Sequence, residues 1–126
     1  LVYVCDRTND RIQVFKKDGT FVKEILVEKN TRANGSVWEL ALWPDADETY
    51  LLNADGANNE VRTLARDTGE VVGAFGRNGR MAGQFHWVHN LAIDSQGNVF
   101  TTEVDTGKRA QKFLAVGTFV LRKRVP

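Results

Sequence analysis

Two histidines three residues apart, in "HWVHN" (86 to 90), are the residues of this sequence best suited to chemistry near neutral pH. Either could ligate a metal or, with an intrinsic pKa close to 7, serve as a general base. The stretch reads as a strand, and an odd spacing in a strand sends side chains to opposite faces. That argues against a joint metal site unless His86 lies in the preceding loop, and leaves His89 as the metal candidate, with zinc or calcium as the ion it would take. Around it, Glu103 and Lys108 complete the one set of candidate catalytic residues, His89, Glu103 and Lys108, although no nucleophile with an activating partner can be named. Three acids close three apolar runs: Asp6 ends "VYVCD", Asp55 ends "LLNAD" and Glu103 ends "VFTTE". Because they recur at one place in the pattern, a structural role is expected of them, accepting backbone N–H groups of the following Asx-type turn. Arg11 and Arg109 are expected to pair with neighbouring turn acids.

Composition narrows the classes. The chain has 126 residues, 42% hydrophobic and 26% charged, which suits one folded domain with its own core. Seventeen basic against sixteen acidic residues give a net charge of +1, without a broad pull toward nucleic acid or an anionic membrane. The basic "RKR" at 122 to 124 reads as a solvated strand end. A single cysteine, Cys5 in "LVYVC", excludes an internal disulfide and a cysteine-rich zinc site, and its apolar setting predicts an inert buried thiol. No apolar run approaches the roughly 20 residues that span a bilayer. The sequence opens at Leu1 in mid-strand without an initiator methionine, so an upstream segment could be missing and the compartment is open.

The elements that must hold these residues show up as repeats. "RIQVF" (11 to 15), "EVRTL" (60 to 64) and "RAQKF" (109 to 113) superpose, their last apolar residues Phe15, Leu64 and Phe113 lying 49 residues apart each time. Before each lies the strand that ends in an acid. After each comes a glycine turn (Gly19, Gly69, Gly117) and a further strand. Two copies carry a leading strand as well, "WELALW" (38 to 43) and "HNLAID" (89 to 94), and the first begins after the place where it would stand. The count predicts eleven strands. Alternation supports them: Ile12 and Val14 share one side of "RIQVF", Arg11 and Gln13 the other. The glycine-rich "GAFGRNGRMAGQ" is followed by a strand where a phosphate loop needs a helix, and reads as a connection.

Four-stranded repeats of this length predict an all-β fold of β-propeller blades, in preference to a meander barrel or sandwich, neither of which needs matching strand quartets. The expectation is a single domain, 1 to 126, of three blades of antiparallel strands: 1 to 35, lacking its innermost strand, then 36 to 84, then 85 to 126. The stretches "GRNGRMAGQFHWVHNLAIDSQGNVFTTEVDTGKRAQKF" (76 to 113) and "VYVCDRTNDRIQVF" (2 to 15) also resemble the NHL repeat, closely in copies one and three and loosely in copy two. Two departures stand out. Val88 occupies the place where that family usually has proline, and Glu60 the place of the arginine in copy two, which puts that copy's edge pairing in doubt. The resemblance implies half of a six-bladed propeller. It is similar, more distantly, to the peptidyl-hydroxyglycine amidating lyases, whose zinc-binding histidines fall where His89 stands here; copy two has Trp38 at that place.

In such blades the start of strand one, the end of strand two and the loop into strand three share one end of the ring, the default place for a ligand. The rim predicted to bind is His89, Asn90, Glu103, Lys108, Arg109, Asp6, Arg7, Arg11, Trp38 and Asp55. Trp38, Trp43 and Trp87 are expected to pack between blades, and the acids interleaved with the rim arginines argue against nucleic acid. The reading is a binding or assembly module without catalysis or cofactor, its ligand a peptide or small molecule at the channel rim. The alternative is a lyase- or hydrolase-like enzyme using His89 and a metal. Phe15 and Phe113 are expected between blades, with Leu64 alike but milder. Two open apolar faces, at copies one and three, predict a homodimer that closes a six-blade ring and pairs two His89 side chains across its axis.

Overall fold

Short runs rich in branched and aromatic residues, alternating with polar ones in "RIQVF" and cut by turn residues, favour strands, and the computed structural model, which describes residues 1 to 116, has ten of them. They form three antiparallel sheets. The first holds β1 (Val2–Asp6), β2 (Arg11–Phe15) and β3 (Phe21–Leu26) in that order. The second holds β4 (Glu39–Leu42), β5 (Tyr50–Asp55), β6 (Glu60–Ala65) and β7 (Val71–Phe75), again in order. The third holds β8 (Val88–Ile93), β9 (Val99–Glu103) and β10 (Ala110–Phe113). The eleventh strand expected from sequence, like the "RKR" tail, lies outside the described residues. No helix among those residues is long and apolar enough to cross a membrane.

The turns are built alike from one sheet to the next. Asp45 and Asp94 open equivalent turns, each taking two backbone N–H groups on one side-chain oxygen: Asp47 and Thr49 on Asp45, Gln96 and Asn98 on Asp94. At the corner before the third strand of each repeat the backbone turns left-handed, at Asp10 (φ 55°), Asn59 (φ 58°) and Lys108 (φ 46°). Asp and Asn tolerate this conformation better than most residues. Their side chains have a second use there. Asp10 Oδ1 accepts the Ser36 N–H at 2.9 Å and Asn59 Oδ1 accepts the Trp87 N–H at 2.7 Å, so each corner pins the connection that leads into the next sheet.

Packing between sheets fills two apolar layers. Ile12, Val14, Ile25, Val27 and Val37 meet Leu51 and Leu64 in one; Leu52, Ala54 and Val61 meet Phe85, Val88, Leu91 and Val99 in the other. Leu51 and Leu52 are neighbours in β5 and point to opposite faces, yet both are at most 2% exposed, because the second sheet is covered on both sides. Phe113 joins the second layer, its ring centroid 4.8 Å from Phe75 and 5.6 Å from Phe85.

Three expectations are corrected here. Phe15 was placed beside Leu64 and Phe113 between sheets; it is half-buried and rests edge-to-face on Phe21 at 5.7 Å, whereas Leu64 is fully buried. The reason is a matter of neighbours. These three residues face the sheet that precedes their own, and the first sheet has none before it among the described residues. The second correction concerns copy two, whose arginine is not lost but displaced by two residues. Arg62 lies on the same side of β6 as Glu60 and takes over the bond to Asp55. Third, the outward faces of the end sheets differ in character. The first exposes Val2, Val4, Phe21 and Leu26, while the third exposes Phe100 together with Thr102 and Lys112, whose ammonium lies 5.2 Å from the Phe100 ring.

Candidate functional site

One end of the three sheets gathers the corner turns, the 3-10 turn Arg7–Asn9 and the connections at 27 to 38 and 76 to 87. Trp38 stands at its centre. Its N–H pairs with the Ala54 carbonyl at 3.0 Å as the chain enters β4, and its indole N–H donates to the Gly35 carbonyl at 2.7 Å. The guanidinium of Arg7, from the first sheet, lies 3.5 Å over the indole while its Nε donates to the Asn34 carbonyl. From the third sheet, His89 meets the same ring edge-on at 5.5 Å, and Trp87 at 5.6 Å. Gly56 completes the fit: a Cβ there would fall 2.6 Å from the Val88 carbonyl oxygen and 2.7 Å from the Trp38 ring. All three sheets thus converge on one indole. Next to it Asn90 donates to Glu39 at 3.2 Å.

The strand-end acids are occupied. Asp55, fully buried, accepts from Arg62, from the Asn58 side chain at 2.7 Å and from the Asn58 N–H at 2.9 Å. Arg62 also reaches Glu60 at 2.9 Å and Glu28 at 3.6 Å. Glu103 is bonded by Arg109 at 2.8 Å, by Gln111 at 3.0 Å and by the His86 N–H at 3.0 Å. Arg109 extends further, to the carbonyls of Arg80 at 2.6 Å and Gln84 at 2.7 Å in the preceding connection. In the first sheet Asp6 holds Arg11 at 2.7 Å, and this contact, with a second from Asn9, keeps its carboxyl below the usual carboxylate range. The acid and arginine pairs therefore tie each second strand to the third. They form a scaffold, one per sheet, but the expected bonding to the following turn is corrected: among the described hydrogen bonds Asp55 takes a backbone N–H there, from Asn58, whereas Asp6 takes side chains and Glu103 takes the His86 N–H of the preceding connection.

The predicted site residues accordingly divide. Arg7, Trp38 and His89 come together, with Asn90 beside them. Asp6, Arg11, Asp55, Glu103 and Arg109 belong to the ion pairs, and Lys108 is exposed at its corner. His86 does not join His89; its Nε2 lies 2.8 Å from the Thr106 hydroxyl. Among the described residues no three His, Cys, Asp or Glu side chains are grouped to hold a metal ion. Burial, with Glu39 nearby, raises the Cys5 thiol to about 11, so it stays protonated at neutral pH.

Sequence reasoning missed a cleft of about 330 Å³ on this rim. Arg32, Asn34, Asn59, Asn78, His86 and Trp87 line it, with Gly56 among them. Two of its residues sit at left-handed backbone, Ala33 at φ 63° and Trp87 at φ 63°, conformations that side-chain-bearing residues rarely take. The paths of the two connections that wall the cleft were not visible in the sequence. The cleft offers amide donors and acceptors, one cation and an indole, which suits hydrogen bonding to a polar ligand with an apolar portion. No protein-family model matches the chain, and no curated protein matches it.

Proposed function

We propose that the three sheets are consecutive blades of an NHL-like β-propeller and that the molecule is a binding module, taking a short peptide or a small polar molecule in the rim cleft, without catalysis of its own. The 49-residue recurrence supports the blade reading, as does the meeting of Trp38 and His89, which hold the same place in successive repeats. The observation that carries the function is the division of labour on the rim. Every strand-end acid is engaged by an arginine of its own sheet, while the neighbouring cleft is lined by Arg32, Asn34, Asn78 and Trp87.

Amide chemical shifts recorded against a panel of acidic, basic and aromatic tripeptides test this reading. The expected result is movement of the Asn34, Gly56, Asn59 and Trp87 signals, with loss of that movement in Asn78→Ala together with Arg32→Ala. A panel that leaves those signals in place contradicts the binding reading. Stoichiometric zinc or calcium in the purified protein, with a melting temperature that falls in chelator, would instead move the function to a metal at His89.

A further inference from the structure

We infer that the rim cleft is an anion site, and that the ligand it takes carries a carboxylate which pairs with Arg32. This rests on the binding reading above and adds to it the chemical class of the ligand. The arginines divide sharply. Among the described residues Arg11, Arg62, Arg66 and Arg109 are ion-paired, while Arg7 and Arg80 donate to the carbonyls of Asn34 at 2.8 Å and Thr106 at 2.9 Å. Arg32, exposed and lining the cleft, makes no hydrogen bond or ion pair among those residues. The same holds for Arg77, which precedes the cleft residue Asn78. A guanidinium is a planar fork of N–H donors, and its best partner is an oxyanion that meets two of them at once.

The rest of the lining suits an anion because it adds amide groups and no competing acid. Asn34, Asn59 and Asn78 line the cleft, and no Asp or Glu does so among the described residues. Asn59 has its oxygen taken by the Trp87 N–H at 2.7 Å, while its NH2 group has no partner among those residues.

The acids of the surrounding segments are committed elsewhere. Glu28, Asp55 and Glu60 all pair with Arg62, Glu103 with Arg109 and Asp6 with Arg11; Asp10 accepts the Ser36 N–H and Glu39 the Asn90 side chain. Asp105 is exposed, with Lys108 three residues on. Segments 6 to 11, 28 to 39 and 103 to 109 each balance their charges. Segment 55 to 62 leans acidic, with Asp55 and Glu60 against Arg62, and 76 to 87 outweighs it with Arg77, Arg80 and no acid. With Arg32 the one unengaged guanidinium in the lining, a singly charged carboxylate matches better than a phosphate monoester, which is close to doubly charged at neutral pH.

Four probes test this, titrated into isotope-labelled chain and read on the Asn34, Gly56, Asn59 and Trp87 amide signals. They are acetyl-Ala-Ala-Phe as the free acid, the same peptide as its C-terminal amide, acetyl-Ala-Glu-Phe-amide with its carboxylate in a side chain, and phenyl phosphate. At least one acid should bind about tenfold tighter than the amide. Which acid gains assigns the carboxylate to a chain end or to a side chain. Arg32→Gln should abolish the advantage and leave the affinity for the amide as it was, whereas Arg66→Gln, which removes a charge paired with Glu48, should leave the advantage in place. Acids and amide that bind equally overturn the inference while the cleft stands as a binding site, and so does an equal loss in both variants. Phenyl phosphate binding tighter than both acids overturns the carboxylate in favour of phosphate. If no probe moves these signals, the inference and the binding reading fall together.

Discussion

The same acid and arginine pair stands in the first and second sheets in opposite circumstances. Asp55 is fully buried and its partner Arg62 is 6% exposed in its side chain; Asp6 and Arg11 are 23% and 32% exposed. Each acid takes an arginine from the next strand and the side chain of an asparagine three residues on, although Arg62 stands two residues further along than Arg11 and Asp55 also takes a backbone N–H. What differs is the neighbour: the first sheet covers the second, and nothing among the described residues covers the first. Burial in this protein is set by the adjoining repeat, so equal positions carry unequal energies.

The largest expected consequence is at the third-strand apolar position. Leu64→Ala should cost roughly 3 kcal/mol in denaturant unfolding, because it opens a cavity between two sheets. Phe15→Ala, although it removes the larger side chain, should cost distinctly less; equal losses would break the comparison. Gly56→Ala comes next. Its Cβ would press on the Val88 carbonyl and the Trp38 ring, an overpacking worth about 1–3 kcal/mol, with a shift of the tryptophan fluorescence as the local reporter. Arg7→Ala should cost about 1 kcal/mol through the lost contact with the Trp38 face.

A smaller effect is read by pH. Asp94 is held below its usual range by the Asn98 side chain and then by the backbone N–H groups of its turn, and Asp45 by the Thr49 N–H. A depressed carboxylate stabilises the fold above its unfolded pKa and ceases to do so as pH falls through the folded value. The melting temperature should therefore decline below about pH 4, and Asp45→Asn with Asp94→Asn should flatten that decline. Last, the Cys5 thiol should react slowly with iodoacetamide at pH 8 and faster as the pH approaches 11.

Much of the fold was legible in the sequence because two simple regularities carry it. Alternation marks each strand, and the recurrence of Phe15, Leu64 and Phe113 aligns them into sheets. Where the reading failed, it had compared residue types instead of sides. Glu60 looked like a lost arginine, but Arg62 two residues on points the same way and does the same work. Phe15 looked equivalent to Leu64, and locally it is, yet alignment says nothing of which sheet covers a position. The candidate site was half visible. Arg7, Trp38 and His89 were singled out for their place in the pattern and do meet, whereas the cleft depends on the course of two irregular connections. Those courses follow from pins such as Asn59 on the Trp87 N–H, which no periodicity announces.

A pair of double-mutant cycles in the same chain tests most directly whether the adjoining sheet, and not the local sequence, decides what a repeat position contributes. Asp55→Asn and Arg62→Gln, singly and together, should show a coupling of roughly 1–3 kcal/mol, the range for buried groups in one network. Asp6→Asn and Arg11→Gln should show a coupling too small to resolve. Equal couplings at the two sites would contradict the account.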